Sequence, residues 1–190
     1  MGRDRNRHGR PPRGAPGGTR PIVALVALLA FLLAGCGGPL PRGGAAGGGP
    51  EAAGLPDGET TRVADVIDGD TIEVGGGRRV RLIGVDTPET KHPDKGVQCY
   101  GREASAYTAR LLPRGTRVRL VADVEERDRY DRLLAYVWRV SDGLFVNAAL
   151  ARDGYARPLT IPPNVAHTQQ LTDLAARARE RGRGLWGACR

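Results

Sequence analysis

Apolar and polar residues alternate over several short segments of the chain, beginning near Thr61. These segments are rich in β-branched side chains, and Asp68-Gly69-Asp70 and Gly75-Gly76-Gly77 separate the first three of them. Alternation with a period of two, interrupted by glycine and aspartate, is typical of β-strands joined by tight turns. The sequence therefore predicts five strands, at residues 63–67, 71–74, 80–85, 116–121 and 133–140.

Three further segments have the residue spacing of amphipathic helices. They are followed by Pro113, Gly154 and Gly182, residues that commonly end a helix, and they cover residues 100–112, 145–153 and 168–181. A helix inserted after the third of five strands, with helices at the end, predicts a mainly β, α+β domain with about three helices. This order suits a five-stranded Greek-key barrel of the OB type, which binds oligonucleotides in some proteins and has no catalytic role in others.

The N-terminal segment has the pattern of an export signal rather than of a folded element. Six arginines and one aspartate occur in residues 1–35, and residues 22–33 form an apolar run too short to span a bilayer. The run ends in Leu33-Ala34-Gly35-Cys36, which resembles a bacterial lipobox with Cys36 as the acylated residue. We therefore expect a lipoprotein signal peptide at 1–35 and an extracytoplasmic protein anchored to the cell membrane. The alternative is a plain cleaved signal in which Cys36 has no role.

Composition divides the rest of the chain into a tether and a domain. Residues 36–60 are mostly glycine, proline and alanine and bury too little apolar surface to fold, so they predict a flexible tether before a domain at 61–190. The full chain has 29 basic and 21 acidic residues, but outside residues 1–35 the numbers are 23 and 20. A net charge of +3 excludes a general electrostatic nucleic-acid binder, so contacts with phosphate must come from a few placed residues.

The predicted domain contains two cysteines, Cys99 and Cys189. In an exported protein such a pair forms either a disulfide or two buried free thiols, and the oxidising environment favours the disulfide. It would close a loop of about 90 residues, for which chain-entropy models give a stabilisation on the order of 4 kcal/mol.

Four polar motifs interrupt the apolar pattern. They are Asp68-Gly69-Asp70-Thr71, the segment from Arg81 to Glu89, Tyr100-Gly101-Arg102-Glu103-Ala104, and Asp128-Arg129-Tyr130-Asp131-Arg132. The second motif continues into the long polar stretch DTPETKHPDKGVQCYG at residues 86–101, which contains almost nothing that a hydrophobic core can use. Each motif alone is more often structural than functional.

Taken together in this order and spacing, the motifs resemble the staphylococcal nuclease family, and the resemblance extends over residues 63–186. It is densest in DTPETKHPDKGVQCYGREAS, which identifies the polar stretch as the active-site loop of that family. The resemblance implies a site built from acids and arginines. Its residues are the metal ligands Asp70 and Asp86 with the carbonyl of Thr87, the catalytic residues Arg81, Glu89 and Arg132, and the substrate-binding residues Arg129 and Tyr130. Lys91, in the same polar stretch, is a further candidate for substrate binding because its charge attracts a polyanion, the alternative being a solvated side chain.

These residue types suit the hydrolysis of a phosphodiester. Arginine forks bind the non-bridging oxygens, and a carboxylate within about 3 Å of a water accepts its proton. Two carboxylates and a carbonyl are hard oxygen donors that favour Ca²⁺, although Ca²⁺ takes about six to eight oxygens and would bind weakly without nucleotide. The pattern argues against zinc, because the cysteines are far apart in sequence and His8, His92 and His167 lack ligand spacing.

The resemblance implies a calcium-dependent, sugar-nonspecific nuclease that hydrolyses DNA and RNA and leaves 3′-phosphate ends. We expect a monomer that prefers single-stranded or locally melted substrate. Two alternatives remain: an OB-fold module that binds nucleic acid or protein with little or no turnover, and an envelope protein that retains nuclease residues from its ancestry. Binding modules of this type typically lose the acids or arginines, whereas here all of them are present, which favours the enzyme.

Three features of the sequence complicate this interpretation. The loop at residues 157–163 lacks the two tyrosines that the staphylococcal enzyme carries there, so a base would find no aromatic platform. Asp131 replaces a glycine of the familiar pattern and adds a carboxylate near the phosphate site. In a straight strand Arg81 and Asp86 lie on opposite faces, so their convergence requires a bend, for which Gly84 and Pro88 are the candidates.

Overall fold

The computed structural model describes residues 54–90 and 96–189, and all the elements below lie within those ranges. The strands are β1 (Glu59–Asp68), β2 (Thr71–Val74), β3 (Arg78–Leu82), β4 (Val85–Asp86), β5 (Arg117–Val121), β6 (Leu133–Arg139), β7 (Leu144–Phe145) and β8 (Arg157–Pro158). The helices are α1 (Gly101–Leu111), α2 (Val146–Arg152), α3 (Thr168–Glu180) and α4 (Leu185–Ala188).

Five of the strands close into a barrel. The long strand β1 pairs with β5 through its first half and with β2 through its second half, and bulges after Val63 and Val66 bend it between the two partners. The sheet order is β3-β2-β1-β5-β6-β7, and a parallel pairing of β3 with β6 closes the first five strands of this order into a ring. The result is the predicted five-stranded, mixed α+β barrel of OB type.

The barrel interior is filled by the apolar positions of the alternating pattern. Leu171 of α3, Leu150 of α2 and Ala104 of α1 are fully buried, so each of these helices contributes to the apolar interior. The buried strand residues that line the interior include Val63, Ile72, Val74, Val80, Leu82, Val118, Ala135 and Val137. Alternation correctly predicts the inner face of β3 and β5, whereas β6 is buried at four consecutive residues, 135–138.

A sharp turn separates β3 from β4 and is stabilised by two neighbours. Gly84 in this turn has φ 79°, and a Cβ atom at this position would lie 2.4 Å from Cδ1 of Leu171, so only glycine fits. The buried side chain of Asn147 donates to the carbonyl of Ile83 (2.7 Å) and accepts from the N–H of Val137 (3.0 Å). Helix α2 therefore fixes the turn against β6.

The C-terminal segment is attached to the body of the domain in two ways. Cys189 forms a disulfide with Cys99, 90 residues earlier, at a Cα–Cα distance of 5.9 Å. The N–H of Leu185, at the start of α4, donates to the carbonyl of Gly154 (2.8 Å), and the Leu185 side chain is buried. Both attachments connect the end of the chain with the region around α1 and α2.

The predicted helices agree with α1, α2 and α3 to within one residue at each end. The predicted strand at 80–85 is wrong in one respect, because the Gly84 turn divides it into β3 and β4. The short elements β7, β8 and α4 were not predicted, since two to four residues are too few to show a period. Across the part of the chain that the structure describes, no helix is long and apolar enough to cross a membrane.

Candidate active site

The turn between β3 and β4 places Arg81 and Asp86 side by side. The Nη1 atom of Arg81 donates to the carbonyls of Leu82 and Val85, both at 2.7 Å, and so spans the turn. Its Nη2 atom lies 3.2 Å from Oδ1 of Asp86 and 3.2 Å from Oδ2 of Asp70. The bend predicted at Gly84 therefore brings the two aspartates and one arginine together.

Asp70 sits in the tight turn between β1 and β2 and is almost completely buried. Its Oδ2 atom accepts hydrogen bonds from the N–H (2.8 Å) and the hydroxyl (3.0 Å) of Thr87, and its Oδ1 atom accepts from the hydroxyl of Thr71 (3.1 Å). Three hydrogen bonds to a buried carboxylate keep it in a fixed orientation. The predicted ligands Asp70 and Thr87 are thus in direct contact.

Asp86 is more open than Asp70, and its carboxyl group is about half exposed. The pKa of Asp86 is raised, chiefly by burial and to a smaller extent by the neighbouring Asp70 carboxylate. The positive charges of Arg81 and Arg157 lower it, but they do not cancel the increase. Arg157 affects this group because it lies directly opposite Asp86 in the pairing of β4 with β8. Two carboxylates this close repel one another, and a bound cation would relieve that repulsion.

The oxygen-only donor set suits a hard cation. The nearest oxygens of Asp70 and Asp86 both lie 3.2 Å from one nitrogen, so at most twice that distance separates them. A calcium ion with bonds of about 2.3–2.6 Å reaches both oxygens when they lie within about 5 Å of one another, a separation inside that limit. Among the described residues no three His, Cys, Asp or Glu side chains converge on one point, so any ion here would also need the Thr87 carbonyl, water or substrate.

Most residues of the predicted site line one open cavity of about 330 Å³. Asp70, Arg81, Asp86, Glu89 and Arg132 all line it. The other lining residues are Ile67, Asp68, Thr71 and Arg79. Two acids suited to metal binding, two arginines suited to phosphate binding and an acid suited to proton transfer therefore face a common space.

The backbone of Glu89 is fixed by residues from the far side of the active-site loop. Its N–H donates to Oε1 of Gln98 (3.1 Å), and its carbonyl accepts from the N–H of Gln98 (2.9 Å). Thr90 is fixed in turn by Asp68, whose Oδ1 atom accepts from the Thr90 hydroxyl (3.2 Å). Neither Gln98 nor Asp68 was predicted as a site residue, because hydrogen-bond partners this far apart leave no periodic signal.

Arg132 is oriented by Asp128. Its Nε atom donates to Oδ2 of Asp128 (2.7 Å), and its backbone N–H donates to Oδ1 (3.0 Å). Burial raises the pKa of Asp128, but the hydrogen bonds from Arg132 and from the N–H of Tyr130 outweigh it, and the net pKa is lowered. Asp128 therefore stays ionised and holds the guanidinium at the edge of the cavity.

A second cavity of about 500 Å³ adjoins the first and shares Arg81 and Arg132 with it. Arg129 and Tyr130 line this second cavity together with Leu159, Ile161 and Asn164, among others. The guanidinium of Arg129 donates to the Tyr130 hydroxyl (2.7 Å), and the Tyr130 ring is 65% exposed. The two predicted substrate-binding residues thus lie beside Arg132, next to a space large enough for a nucleoside.

The wall of the second cavity is aliphatic where the loop tyrosines are missing. Leu159 and Ile161 supply it, and Tyr155 is no substitute because its ring stacks on Tyr107 at a centroid distance of 3.9 Å. Asp131 lines neither cavity; its carboxylate pairs with Arg127 at 2.9 Å. The Asp131 carboxylate therefore lies outside both cavities and has a cationic partner of its own.

Two predicted residues, Cys36 and Lys91, lie outside the described residues, as do His8 and His92. One residue that the sequence did not indicate is Arg157, which is exposed beside Asp86 and lies over the ring of Trp186 at 5.7 Å. The short pairing of β4 with β8 places it there, and a two-residue strand gives no sequence signal.

Comparison with known proteins agrees with this geometry. Residues 79–188 match the family model described as "Staphylococcal nuclease homologue". The chain is 45% identical over 132 residues to the thermonuclease of Staphylococcus intermedius, covering 68% of this chain and 77% of that protein. It is 42% identical over 131 residues to the thermonuclease of Staphylococcus hyicus, covering 67% and 76%. It is 43% identical over 110 residues to endonuclease YncB of Bacillus subtilis (strain 168), covering 55% and 51%.

The barrel, the acid-and-arginine cavity and these matches define the class of protein as a hydrolase of the nuclease type. The chain belongs to the staphylococcal nuclease family.

Proposed function

We propose that this nuclease is calcium-dependent and sugar-nonspecific, that it hydrolyses DNA and RNA, and that it leaves 3′-phosphate ends. The observation that carries the proposal is the single cavity lined by Asp70, Arg81, Asp86, Glu89 and Arg132. These are the groups that phosphodiester hydrolysis requires, and the thermonucleases that the chain resembles support the same chemistry.

Asp70, Asp86 and the Thr87 carbonyl would hold the calcium ion. When bound, the ion would act as a Lewis acid on a phosphate oxygen and as a template for the attacking water. The donor set is smaller than the six to eight oxygens that Ca²⁺ usually takes, so about half of the shell must come from water and substrate. We therefore expect weak calcium binding that strengthens in the presence of nucleotide.

The protein's own residues perform the remaining steps. Arg81 and Arg132 bind the non-bridging oxygens and stabilise the charge that grows on them. Glu89 accepts a proton as the water oxygen forms its bond to phosphorus. The bond from phosphorus to the 5′ oxygen breaks, the 5′ oxygen takes up a proton, and the products are a 3′-phosphate and a 5′-hydroxyl.

Substrate shape follows from the two adjoining cavities. The second cavity is lined by Leu159, Ile161 and the exposed ring of Tyr130. It is large enough for one nucleoside but not for a base pair with both strands. A base enters such a space only when it is unpaired, which favours single-stranded or locally melted substrate. Arg129 and Lys91 are the further residues that we assign to substrate binding.

The cellular placement is a separate part of the proposal. The lipobox-like ending at Cys36 and the apolar run before it support export and lipid anchoring to the outer face of the cell membrane. We propose that the enzyme acts there as a monomer.

A cleavage assay with matched variants tests the proposed chemistry. The purified protein is incubated with single-stranded DNA or RNA in Ca²⁺ or EGTA, beside Glu89→Gln. Removing the proton acceptor should slow cleavage at least about 10²-fold, and EGTA should abolish it. Glu103→Gln, in an exposed position of α1, is the control and should match the native rate. Activity that survives EGTA or Glu89→Gln would contradict the mechanism, and binding without cleavage would instead support a binding module.

A further inference from the structure

We propose that Gln98 is a positioning residue for Glu89, and that the Cys99–Cys189 disulfide holds Gln98 in place for this role. The inference rests on the proposed function of Glu89 as the proton acceptor. It assigns part of the catalytic rate to a disulfide that connects the active-site loop with the end of the chain.

Both backbone polar groups of Glu89 are bound by the same residue. The Glu89 N–H donates to Oε1 of Gln98 (3.1 Å), and the Gln98 N–H donates to the Glu89 carbonyl (2.9 Å). Together these bonds fix the peptide planes before and after the Glu89 Cα atom. The direction in which the Glu89 side chain leaves the backbone is therefore set by Gln98.

The turn that carries Gln98 packs tightly against Glu89. Gly101 donates its N–H to the Gln98 carbonyl (3.0 Å), and a Cβ atom on Gly101 would lie 2.9 Å from the Glu89 carbonyl oxygen and 3.1 Å from that of Pro88. The absence of a side chain at the first residue of α1 lets the helix start rest directly on the Glu89 peptide. The geometry at Glu89 thus depends on where this turn sits.

The turn itself is exposed, and the disulfide gives it a second covalent link to the domain, beside its chain connection to α1. Gln98 and Cys99 are both exposed, so hydrogen bonds made by Gln98 compete with water. Cys99 is bonded to Cys189, and the segment before Cys189 is anchored through the buried Leu185 and its hydrogen bond to the Gly154 carbonyl (2.8 Å). A covalent constraint on the residue next to Gln98 limits how far the pair of hydrogen bonds can open.

Variants of Gln98 test the positioning role. Gln98→Ala should lower kcat about 10-fold, because misplacement of a catalytic group by about 1 Å is costly, with KM changed less than threefold. Gln98→Glu keeps an oxygen acceptor for the Glu89 N–H and should restore kcat to within about threefold of the native value. Gln169→Ala, on the exposed face of α3, is the matched control.

Removal of the disulfide tests the second part. Cys99→Ser, Cys189→Ser and the double variant should each lower kcat about three- to tenfold at a temperature where circular dichroism shows all of them folded. The effects of Gln98→Ala and of disulfide loss should overlap rather than multiply, because both act on one geometry.

Repeating the variants in a Glu89→Gln background separates this inference from the proposed function. There, neither Gln98→Ala nor disulfide loss should lower the residual rate further. If the native protein does not cleave, or if Glu89→Gln cleaves as fast as native, the proposed function fails. If the native protein cleaves and depends on Glu89 but folded Gln98→Ala and cysteine variants keep the native kcat, the positioning role is wrong. A lowered melting temperature with native kcat would likewise assign the disulfide to stability alone.

Discussion

Asp70 and Thr87 are joined by two hydrogen bonds, from the Thr87 N–H at 2.8 Å and from its hydroxyl at 3.0 Å, both to one carboxylate oxygen. Both residues are buried, and Gly69 packs so closely that a Cβ atom there would lie 2.6 Å from the Thr87 hydroxyl oxygen. The two segments that meet here, the β1–β2 turn and the exit of β4, are the ones that carry the proposed metal ligands. Their contact fixes the Asp70 carboxylate before any ion binds.

Thr87→Val removes one of these two hydrogen bonds with little change of shape. We expect the free energy of unfolding to fall by about 1–2 kcal/mol, because a buried carboxylate loses a donor. We also expect calcium affinity to fall about 10-fold or more, as for other residues that orient a metal ligand. Chemical denaturation and calcium titration in the presence of nucleotide measure the two effects. Thr87→Ser keeps the hydroxyl and should approach native values, whereas equal losses in both variants would contradict this role of the hydroxyl.

The Asp128–Arg132 pair predicts a pH dependence of stability. Hydrogen bonds from Arg132 and Tyr130 outweigh the effect of burial and lower the pKa of Asp128. A carboxyl group whose folded pKa lies below its unfolded value stabilises the fold fully above the unfolded value, near 3.9. That contribution is lost as the pH falls through the lower folded pKa.

Urea denaturation of the native protein and of Asp128→Asn over pH 2–7 checks this prediction. The native protein should be more stable at neutral pH, and the difference should shrink below about pH 4. Asp128→Asn should also raise KM for single-stranded DNA a few-fold, because Arg132 loses a charged partner that orients it. A stability difference that stays constant down to pH 2 would mean that ionisation of Asp128 is not responsible.

The barrel and its helices were predictable because long elements repeat their pattern several times. Five strand-like segments and three helical ones are enough to indicate the barrel, and burial alternates clearly in β3 and β5 but not in β6. The residues of the site were predictable from the family resemblance. Their convergence was not, because Arg81 and Asp86 lie on opposite faces of a straight strand until Gly84 turns the chain.

The hydrogen bonds that support the site could not be predicted from the sequence, for a different reason. Gln98 binds Glu89 across nine residues and Asn147 binds Ile83 across 64, and polar contacts at such separations follow no period. The location of Arg157 depends on the two-residue pairing of β4 with β8. These hydrogen bonds and the position of Arg157 depend on how the helices and short strands pack on the closed barrel, which the sequence pattern does not show.

Arg157 lies at the open edge of the site and should contact the strand beyond the scissile phosphate. It is exposed opposite Asp86, and Leu159 of the second cavity lies two residues further along the chain. Arg157→Gln should therefore lower kcat/KM for a long single strand about three- to tenfold. It should also remove about one phosphate contact, so that the slope of log K against log salt concentration becomes shallower by roughly 0.7.

Two controls separate a contact with substrate from a change in folding. Arg114→Gln, in an exposed turn before β5, should behave as native. Arg179→Gln removes the other cation over the Trp186 ring, so it reports on any loss of packing at Trp186. If Arg157→Gln and Arg179→Gln change stability equally and leave the salt slope at the native value, Arg157 only supports Trp186.

The aliphatic wall of the second cavity predicts a gain of affinity on adding a ring. Ile161 lines that cavity and is 59% exposed, so a tyrosine at this position has room to lie along the opening. Stacking of one base on an aromatic ring is worth about 1–3 kcal/mol. Ile161→Tyr should therefore lower the Kd for a short single-stranded oligonucleotide at least about fivefold, as measured by fluorescence anisotropy with Glu89→Gln to prevent cleavage. Ile161→Leu, which keeps an aliphatic side chain, should bind as the native residue does, and an equal gain from both would mean that apolar area rather than stacking limits affinity.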